Sequence, residues 1–314
     1  MEDFQHKRRS IEQGQLTSWE RRGRGAFTVE HLPFHRTILH TIFRVAWLRA
    51  RGERNARNIV VKSLRFTFDS LPSALCGFTI LHLSDLHADG LTGLSESVCR
   101  RLQNLQTDIC VLTGDYRYRT YGPSQDVYPT MEKILAAINA RYGIVGVLGN
   151  HDSAEKIPVL ERLGVTMLMN QSLAIRHGGE TIWFVGLDDP HYYGCDDLPG
   201  ALQSVPKEVF KVLLVHTPEL VADAESHGID LYLCGHTHGG QICLPWIGPV
   251  ISAANSPRRY IRGAWRHQRM QGYTSAGVGV SVVPVRFFCP PEIVLIELRC
   301  THQHAHPSTL MIEE

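Results

Sequence analysis

The chain has 314 residues, 43% hydrophobic and 20% charged, which is enough apolar material for a large core in one or two domains. Its formal net charge of +1 excludes nucleic-acid binding through bulk charge, and no apolar run approaches the roughly 18 residues that a membrane-spanning helix needs. The eight cysteines show no paired CxxC spacing, and Cys110 and Cys234 sit inside apolar runs, so reduced thiols in a reducing compartment are expected.

Residues 1 to about 25 are polar, lack periodicity and are expected to be mobile. The arginine pairs Arg8-Arg9 and Arg21-Arg22 are followed by polar residues instead of an apolar stretch, so no cleaved export signal is read there. Residues 32–54 differ. Phe34, Ile38, Ile42, Val45 and Ala46 recur at helical spacing, surrounded by Arg36, Arg44, Arg49, Arg51 and Arg54. This basic amphipathic pattern fits two partners equally, the chain's own domain or an anionic membrane surface. The corresponding location is cytoplasmic, peripheral on the inner face of the membrane.

From residue 60 onward strand-like and helix-like segments alternate. "FTILHLS" (78–84), "ICVLTG" (109–114), "IVGVLG" (144–149), "KVLLVH" (211–216) and "LYLCG" (231–235) are short apolar runs of the kind buried in a sheet covered on both faces. Leu94, Val98, Leu102 and Leu105 form one helical stripe, and Met131, Ile134, Leu135 and Ile138 another. Thr217-Pro218 predicts a third helix with an N-cap and an N1 proline, stopped by Gly228. The tail "YTSAGVGVSVVPVRFF" and "EIVLIELR" reads as antiparallel β structure. "GVGVSV" lacks the third glycine of a dinucleotide loop, since Val282 stands there, and is expected to be a closely packed strand. The fold class is α/β.

Each of the five apolar runs ends in residues fit to bind a cation: Asp85 and His87, then Asp115, then Asn150, His151 and Asp152, then His216, then His236 and His238. Ligands of open α/β sheets bind at the carboxyl ends of strands. Residues i and i+2 leaving a strand point to one side, which pairs Asp85 with His87 and His236 with His238. Glycines 114, 149, 235 and 239 stand beside them, where the backbone must turn or come close to a bound group. Each motif alone is an ordinary turn; five in this order are not. His302, His304 and His306 read as a solvated tail.

The array D-x-H, G-D, G-N-H-D, H, G-H-x-H resembles the calcineurin-like metallophosphoesterase family over about residues 76–300. "GHTHGGQICLP", "PPEIVLIELR" and "VGLDDP" are similar to its bacterial membrane-associated phosphodiesterase branch, which is related to UDP-diacylglucosamine pyrophosphohydrolases; the N-terminus departs from that branch in having no full membrane-spanning or export segment. The resemblance implies a four-layer sandwich, two mixed β-sheets flanked by helices. It divides the chain into an arm with the amphipathic helix (1–56), a metallophosphoesterase domain (57–300) and a tail (301–314).

It also implies two divalent metal ions, the first held by Asp85, His87, Asp115 and His238 and the second by Asp115, Asn150, His216 and His236, with Asp115 bridging. Mixed nitrogen and oxygen donors suit Mn, Fe or Zn, and manganese is the expectation for the bacterial branch. Two cations about 3.5–4 Å apart would activate a bridging hydroxide for in-line attack on phosphorus. His151 would protonate the leaving oxygen or stabilise its charge, and Asp152 would orient His151 or the ligand loop, or cap a turn. His191, Tyr193 and Arg258, with Tyr192, Trp246, Ile247 and Arg259, could line a substrate pocket or be ordinary loop residues. The expected activity is hydrolysis of a phosphodiester or pyrophosphate bond in a lipid-linked or nucleotide-sugar substrate at a membrane. The alternatives are a soluble nucleotide phosphodiesterase or phosphatase, and a non-catalytic scaffold, against which the intact ligand set argues.

Overall fold

In the computed structural model the described residues are 2–15, 48–120, 124–250 and 254–301. The strands longer than two residues are, in chain order, β1 (Val60–Phe68), β2 (Thr79–Leu83), β3 (Ile109–Leu112), β4 (Ile144–Gly146), β5 (Val165–Met167), β6 (Gln171–His177), β7 (Glu180–Gly186), β8 (Phe210–Leu214), β9 (Leu231–Cys234), β10 (Gly263–His267), β11 (Met270–Thr274) and β12 (Glu292–Cys300). They form two six-stranded sheets, ordered β1-β12-β2-β3-β4-β5 and β10-β11-β9-β8-β7-β6. Both are mixed. In the first only the β12–β2 pair is antiparallel; in the second the edge pairs β10–β11 and β7–β6 are.

Period-two alternation explains the layering. Ile80, Ile109 and Val111 face the second sheet and share an apolar layer with Phe184, Val212, Leu214 and Leu233. Their sequence neighbours Leu81, Leu83, Cys110 and Leu112 point to the opposite face, where they meet Leu94, Val98, Leu102, Met131 and Ile134. Those last residues are the stripes of α-helices Leu94–Leu102 and Tyr128–Ala136. The far face of the second sheet packs under Leu198, Val221 and Ala224 from the short helices Leu198–Ala201 and Val221–Ser226. The result is helices, sheet, sheet, helices. A fully buried aliphatic side chain in these layers contributes roughly 1.5–3 kcal/mol relative to leaving it exposed.

Several sequence expectations are corrected. Residues 2–15 are not an unstructured lead-in: Glu2–Gln15 is a helix that buries Arg8 in the domain. Of the amphipathic stretch 32–54, residues 32–47 lie outside the described residues, as do His302, His304 and His306. The remainder joins the helix Arg49–Arg57, which docks on the sandwich through buried Gly52 and Ala56. Gly52 has no room for a Cβ against Val285 and Phe287, and its carbonyl accepts from the Arg286 amide (3.1 Å).

Thr217 makes no side-chain cap; a 3-10 turn, Pro218–Leu220, precedes the helix. "GVGVSV" is a folded loop and not a strand, because buried Arg286 gathers the carbonyls of Ala276, Gly277 and Gly279 around its guanidinium. The hairpin β6–β7 was missed in the sequence. Its signals are the Gly178-Gly179 turn, at positive φ, and the alternation of half-buried Leu173 and Ile175 with exposed Ala174 and Arg176.

Candidate metal centre

The loops following β2, β3, β4, β8 and β9 converge where the two sheets' carboxyl ends meet. Backbone bonds set the register: the Asp85 amide donates to Gly114 O (3.0 Å), the His87 amide to Asp115 O (3.0 Å) and the Gly235 amide to His216 O (2.9 Å). One step across the sheets, the His236 amide donates to the Asp85 carboxylate (3.1 Å to each oxygen). Asp85, His87, Asp115, His236 and His238 all adopt positive φ, a conformation side chains with a Cβ rarely take and one that clusters at functional sites. Gly149 and Gly235 are glycines for lack of space, since a Cβ would run into the Asp115 and Asp85 carboxylates respectively.

Around Asp115 the side chains close into one cluster. Its Oδ2 lies 3.3 Å from His216 Nε2, 3.6 Å from His87 Nε2 and 4.0 Å from His151 Nε2. His238 Nε2 is 3.4 Å from Asp85 Oδ1 and 3.1 Å from His87 Nε2, while Asn150 Oδ1 is 2.9 Å from both His216 Nε2 and His236 Nδ1. Three overlapping groups place ligand atoms within 4.8 Å of one another: Asp85 with His87 and His238, His87 with Asp115 and His151, and Asp85 with Asp115 and His216.

The donor set fits divalent cations. His87 Nδ1 donates to Arg117 O (2.7 Å) and His216 Nδ1 to Thr113 O (2.7 Å), so each ring turns its Nε2 toward the Asp115 carboxylate. Lone pairs facing a carboxylate need a cation or a proton between them. His236 Nε2, in addition, is buried without a hydrogen-bond partner.

Electrostatics agree for three of the four imidazoles. Burial holds His87 down at about 4 and His236 and His238 well below the ordinary imidazole range, in the neutral form a metal requires. Burial pushes the Asp85 carboxyl up to about 6, with Asp115 adding to the rise and His216 opposing it. Burial would lower His216 too, but the Asp115 charge and hydrogen bond outweigh it and lift the imidazole to about 10. Asp115 is conversely held well below the usual carboxylate range despite its burial, chiefly by His216 and His151.

Matching the chain against protein families identifies a calcineurin-like phosphoesterase over residues 78–240. Among curated proteins, the metallophosphoesterase YkuE of Bacillus subtilis is 31% identical over 243 residues, covering 74% of this chain and 82% of YkuE. The chain belongs to the calcineurin-like phosphoesterase family. Two further relatives are the phosphodiesterase YaeI of Escherichia coli, 29% identical over 70% of this chain and 82% of its own, and the UDP-2,3-diacylglucosamine pyrophosphatase LpxG of Chlamydia muridarum, 24% identical over 73% and 85%. As a member, the protein is a metal-dependent phosphoesterase, a hydrolase of a family that works with a divalent metal pair.

The other sequence candidates scatter around this phosphoesterase centre. His151 donates from Nδ1 to Tyr118 O (2.8 Å), which leaves Nε2 facing the cluster; its side chain is 12% exposed, against none for His87 and His216. Asp152 is fully buried, accepting from the amides of Asp115, Tyr116 and Gly149. His191 pairs with Glu219 (2.6 Å) and lies tilted against the His236 ring, 4.6 Å between centroids. Tyr193 is buried under the Arg8 guanidinium, 3.8 Å from its ring centroid. Arg258 is exposed on a 3-10 turn, beyond a loop whose Asn255 amide reaches Glu219 (3.0 Å). Trp246 and Ile247 are not pocket wall; they project into solvent.

Sequence reasoning missed Arg8 and Arg286. Arg8 donates to the Asp188 carboxylate and to the carbonyls of Gly149 (3.0 Å) and Asp152, and so clamps the loop carrying Asn150 and His151. Arg286, besides its carbonyls, approaches His238 Nδ1 at 3.3 Å. Arg8 lies far along the chain from what it holds, Arg286 reaches His238 across 48 positions, and no local motif marks either.

Proposed function

We propose that the protein hydrolyses a phosphodiester or pyrophosphate bond in a lipid-linked or nucleotide-sugar substrate at a membrane surface, using two divalent cations, with manganese the expected metal. The convergence on Asp115 carries this reading: its carboxylate lies within 3.3–4.0 Å of three imidazoles from three different loops, as a ligand shared by two ions must. The phosphodiesterase and UDP-2,3-diacylglucosamine pyrophosphatase relatives support the bond and substrate class. A cation pair supplies Lewis acidity on the phosphoryl oxygens and a hydrolytic nucleophile at neutral pH.

The protein's own groups do the rest. Asp85, His87, Asp115 and His238 hold one ion, and Asp115, Asn150, His216 and His236 the other. Asn150 contributes a neutral donor, so the site is not too negative for an anionic ester. His151, its Nδ1 proton committed to Tyr118 O, serves the leaving oxygen as general acid in its doubly protonated form, giving up the Nε2 proton and keeping the one on Nδ1. Asp152 positions the ligand loops through their amides. His191 and Arg258 contact the substrate beyond the phosphorus, Tyr193 supports that side from beneath the Arg8 guanidinium, and residues 32–54 meet an anionic membrane.

The test is a panel on manganese-loaded protein: bis-p-nitrophenyl phosphate, cyclic nucleotides and UDP-2,3-diacylglucosamine. Preferred turnover of the diacylglucosamine substrate is expected. Preference for the cyclic nucleotides would overturn the lipid-linked reading in favour of a soluble nucleotide phosphodiesterase.

A further inference from the structure

Of the large apolar side chains exposed among the described residues, all but Val61 belong to one hairpin or to the cavity next to it in the fold. Leu244, Trp246, Ile247 and Val250 belong to a small hairpin whose strands, Cys243–Leu244 and Gly248–Pro249, pair antiparallel. Trp246, at the tip, is fully exposed, and Ile247 beside it is 67% exposed. Phe288, 63% exposed, follows Phe287, whose carbonyl accepts from the Cys243 amide (2.9 Å). Leu48, Arg51, Phe288 and Pro290 then share the lining of a cavity of about 410 Å³ beside the helix Arg49–Arg57. Exposed apolar side chains clustered in this way mark a binding face, whereas singly scattered ones are normal.

The shoulder of the patch is basic. Exposed Arg51 lines that cavity, no carboxylate does, and Arg54 is exposed on the same helix. An exposed tryptophan and isoleucine at a tip, with arginines set behind them, match a bilayer interface: the indole sits at headgroup level, the aliphatic group enters the acyl boundary and the guanidinium groups meet lipid phosphates. We infer that the hairpin tip Trp246–Ile247, with Phe288, Leu48 and Arg51, is a lipid-contacting surface for anionic membranes.

Its position gives it a use. The hairpin leaves the metal centre directly, since Gln241 stands three residues after His238. The Gln241 side chain fixes the hairpin's base by donating to Ser281 O (2.8 Å) and Val283 O (2.9 Å) and accepting from the Ser281 amide (2.7 Å). A tip resting in the interface thereby holds the catalytic cleft at the headgroup layer. The inference rests on the proposed function only in placing the substrate at a bilayer.

The experiment compares the full chain with Trp246→Ser/Ile247→Ser by co-sedimentation with phosphatidylglycerol–phosphatidylcholine vesicles and with phosphatidylcholine alone. Turnover of bis-p-nitrophenyl phosphate is followed in parallel. The wild type should sediment with the anionic vesicles and the double variant bind them about tenfold or more weakly, with soluble-ester turnover unchanged. Arg51→Gln should steepen the loss at low salt. Undiminished vesicle binding by the double variant would overturn the inference and leave residues 32–47 as the anchor. Absence of wild-type binding would also overturn it, as would a wild-type dimer that the double variant dissociates, because a second copy would then be what covers the patch. Lipid binding is read by sedimentation and hydrolysis by a soluble ester, so this surface and the proposed chemistry fail separately.

Discussion

The Asp152 carboxylate accepts a hydrogen bond from the backbone amide of Asp115 (2.7 Å), so the residue at the centre of the metal cluster is held by an acid that reaches it through the main chain alone. The same carboxylate takes the Gly149 amide (3.0 Å) and pairs with Lys156 Nζ (3.4 Å), a fully buried ammonium. Asp152→Asn removes the negative charge and strands that ammonium, at an expected cost of roughly 3–5 kcal/mol. Urea unfolding measures it, and Asp152→Asn/Lys156→Met should recover part of the loss. A single variant as stable as wild type would show that the charge is not needed.

Arg8 ties the N-terminal helix to the same loop from the other side, through the Gly149 and Asp152 carbonyls and the Asp188 carboxylate. Burial pushes Asp188 up to about 6 against the pull of Arg8, so losing the guanidinium leaves a costly buried acid. Arg8→Ala should therefore destabilise the fold and, by loosening the loop that carries Asn150, weaken metal affinity about 10- to 100-fold. Arg8→Lys should rescue little, because one ammonium cannot span three acceptors in a plane. Metal titration of the folded variants reads the effect; unchanged affinity in Arg8→Ala would confine Arg8 to stability.

The contrast between these residues and the ligands explains what was legible in the sequence. Asp85, Asp115, Asn150, His216, His236 and His238 each follow an apolar run within a few residues, so the strand pattern and the chemistry are written together. Arg8 meets Asp188 across 180 positions, and nothing local separates it from the solvated arginine beside it. Arg286 likewise stands in a stretch whose alternating valines read as a strand, and only its burial among carbonyls makes that stretch a loop. The buried strands were readable because they are apolar on both faces. The β6–β7 hairpin, half exposed, was not.

His151 separates from the ligands in its expected kinetics. With Nδ1 bound to Tyr118 O and Nε2 4.0 Å from Asp115, it can serve a leaving oxygen without holding the cluster together. His151→Gln should keep metal stoichiometry and lower kcat by about 100- to 10,000-fold for an alkyl ester, and less for a nitrophenyl ester that leaves without a proton. Equal losses for both esters would argue against general-acid catalysis.

Asp115→Ala tests the shared ligand itself, and stability gives a readout independent of turnover. A metal that binds only the folded chain at about 100 times its Kd adds about 2.7 kcal/mol, enough to raise Tm by roughly 5 °C in a chain of this size. Wild-type protein should show that rise with manganese and lose it to a chelator. Asp115→Ala removes the oxygen nearest His216 and His87 (3.3 and 3.6 Å), so neither ion keeps its full set of donors. The variant should show no manganese-dependent rise, sub-stoichiometric metal and no measurable diester turnover. Two bound ions together with retained turnover would remove Asp115 from the centre of the site. A lost Tm increment with retained turnover would instead mean that one ion suffices for hydrolysis.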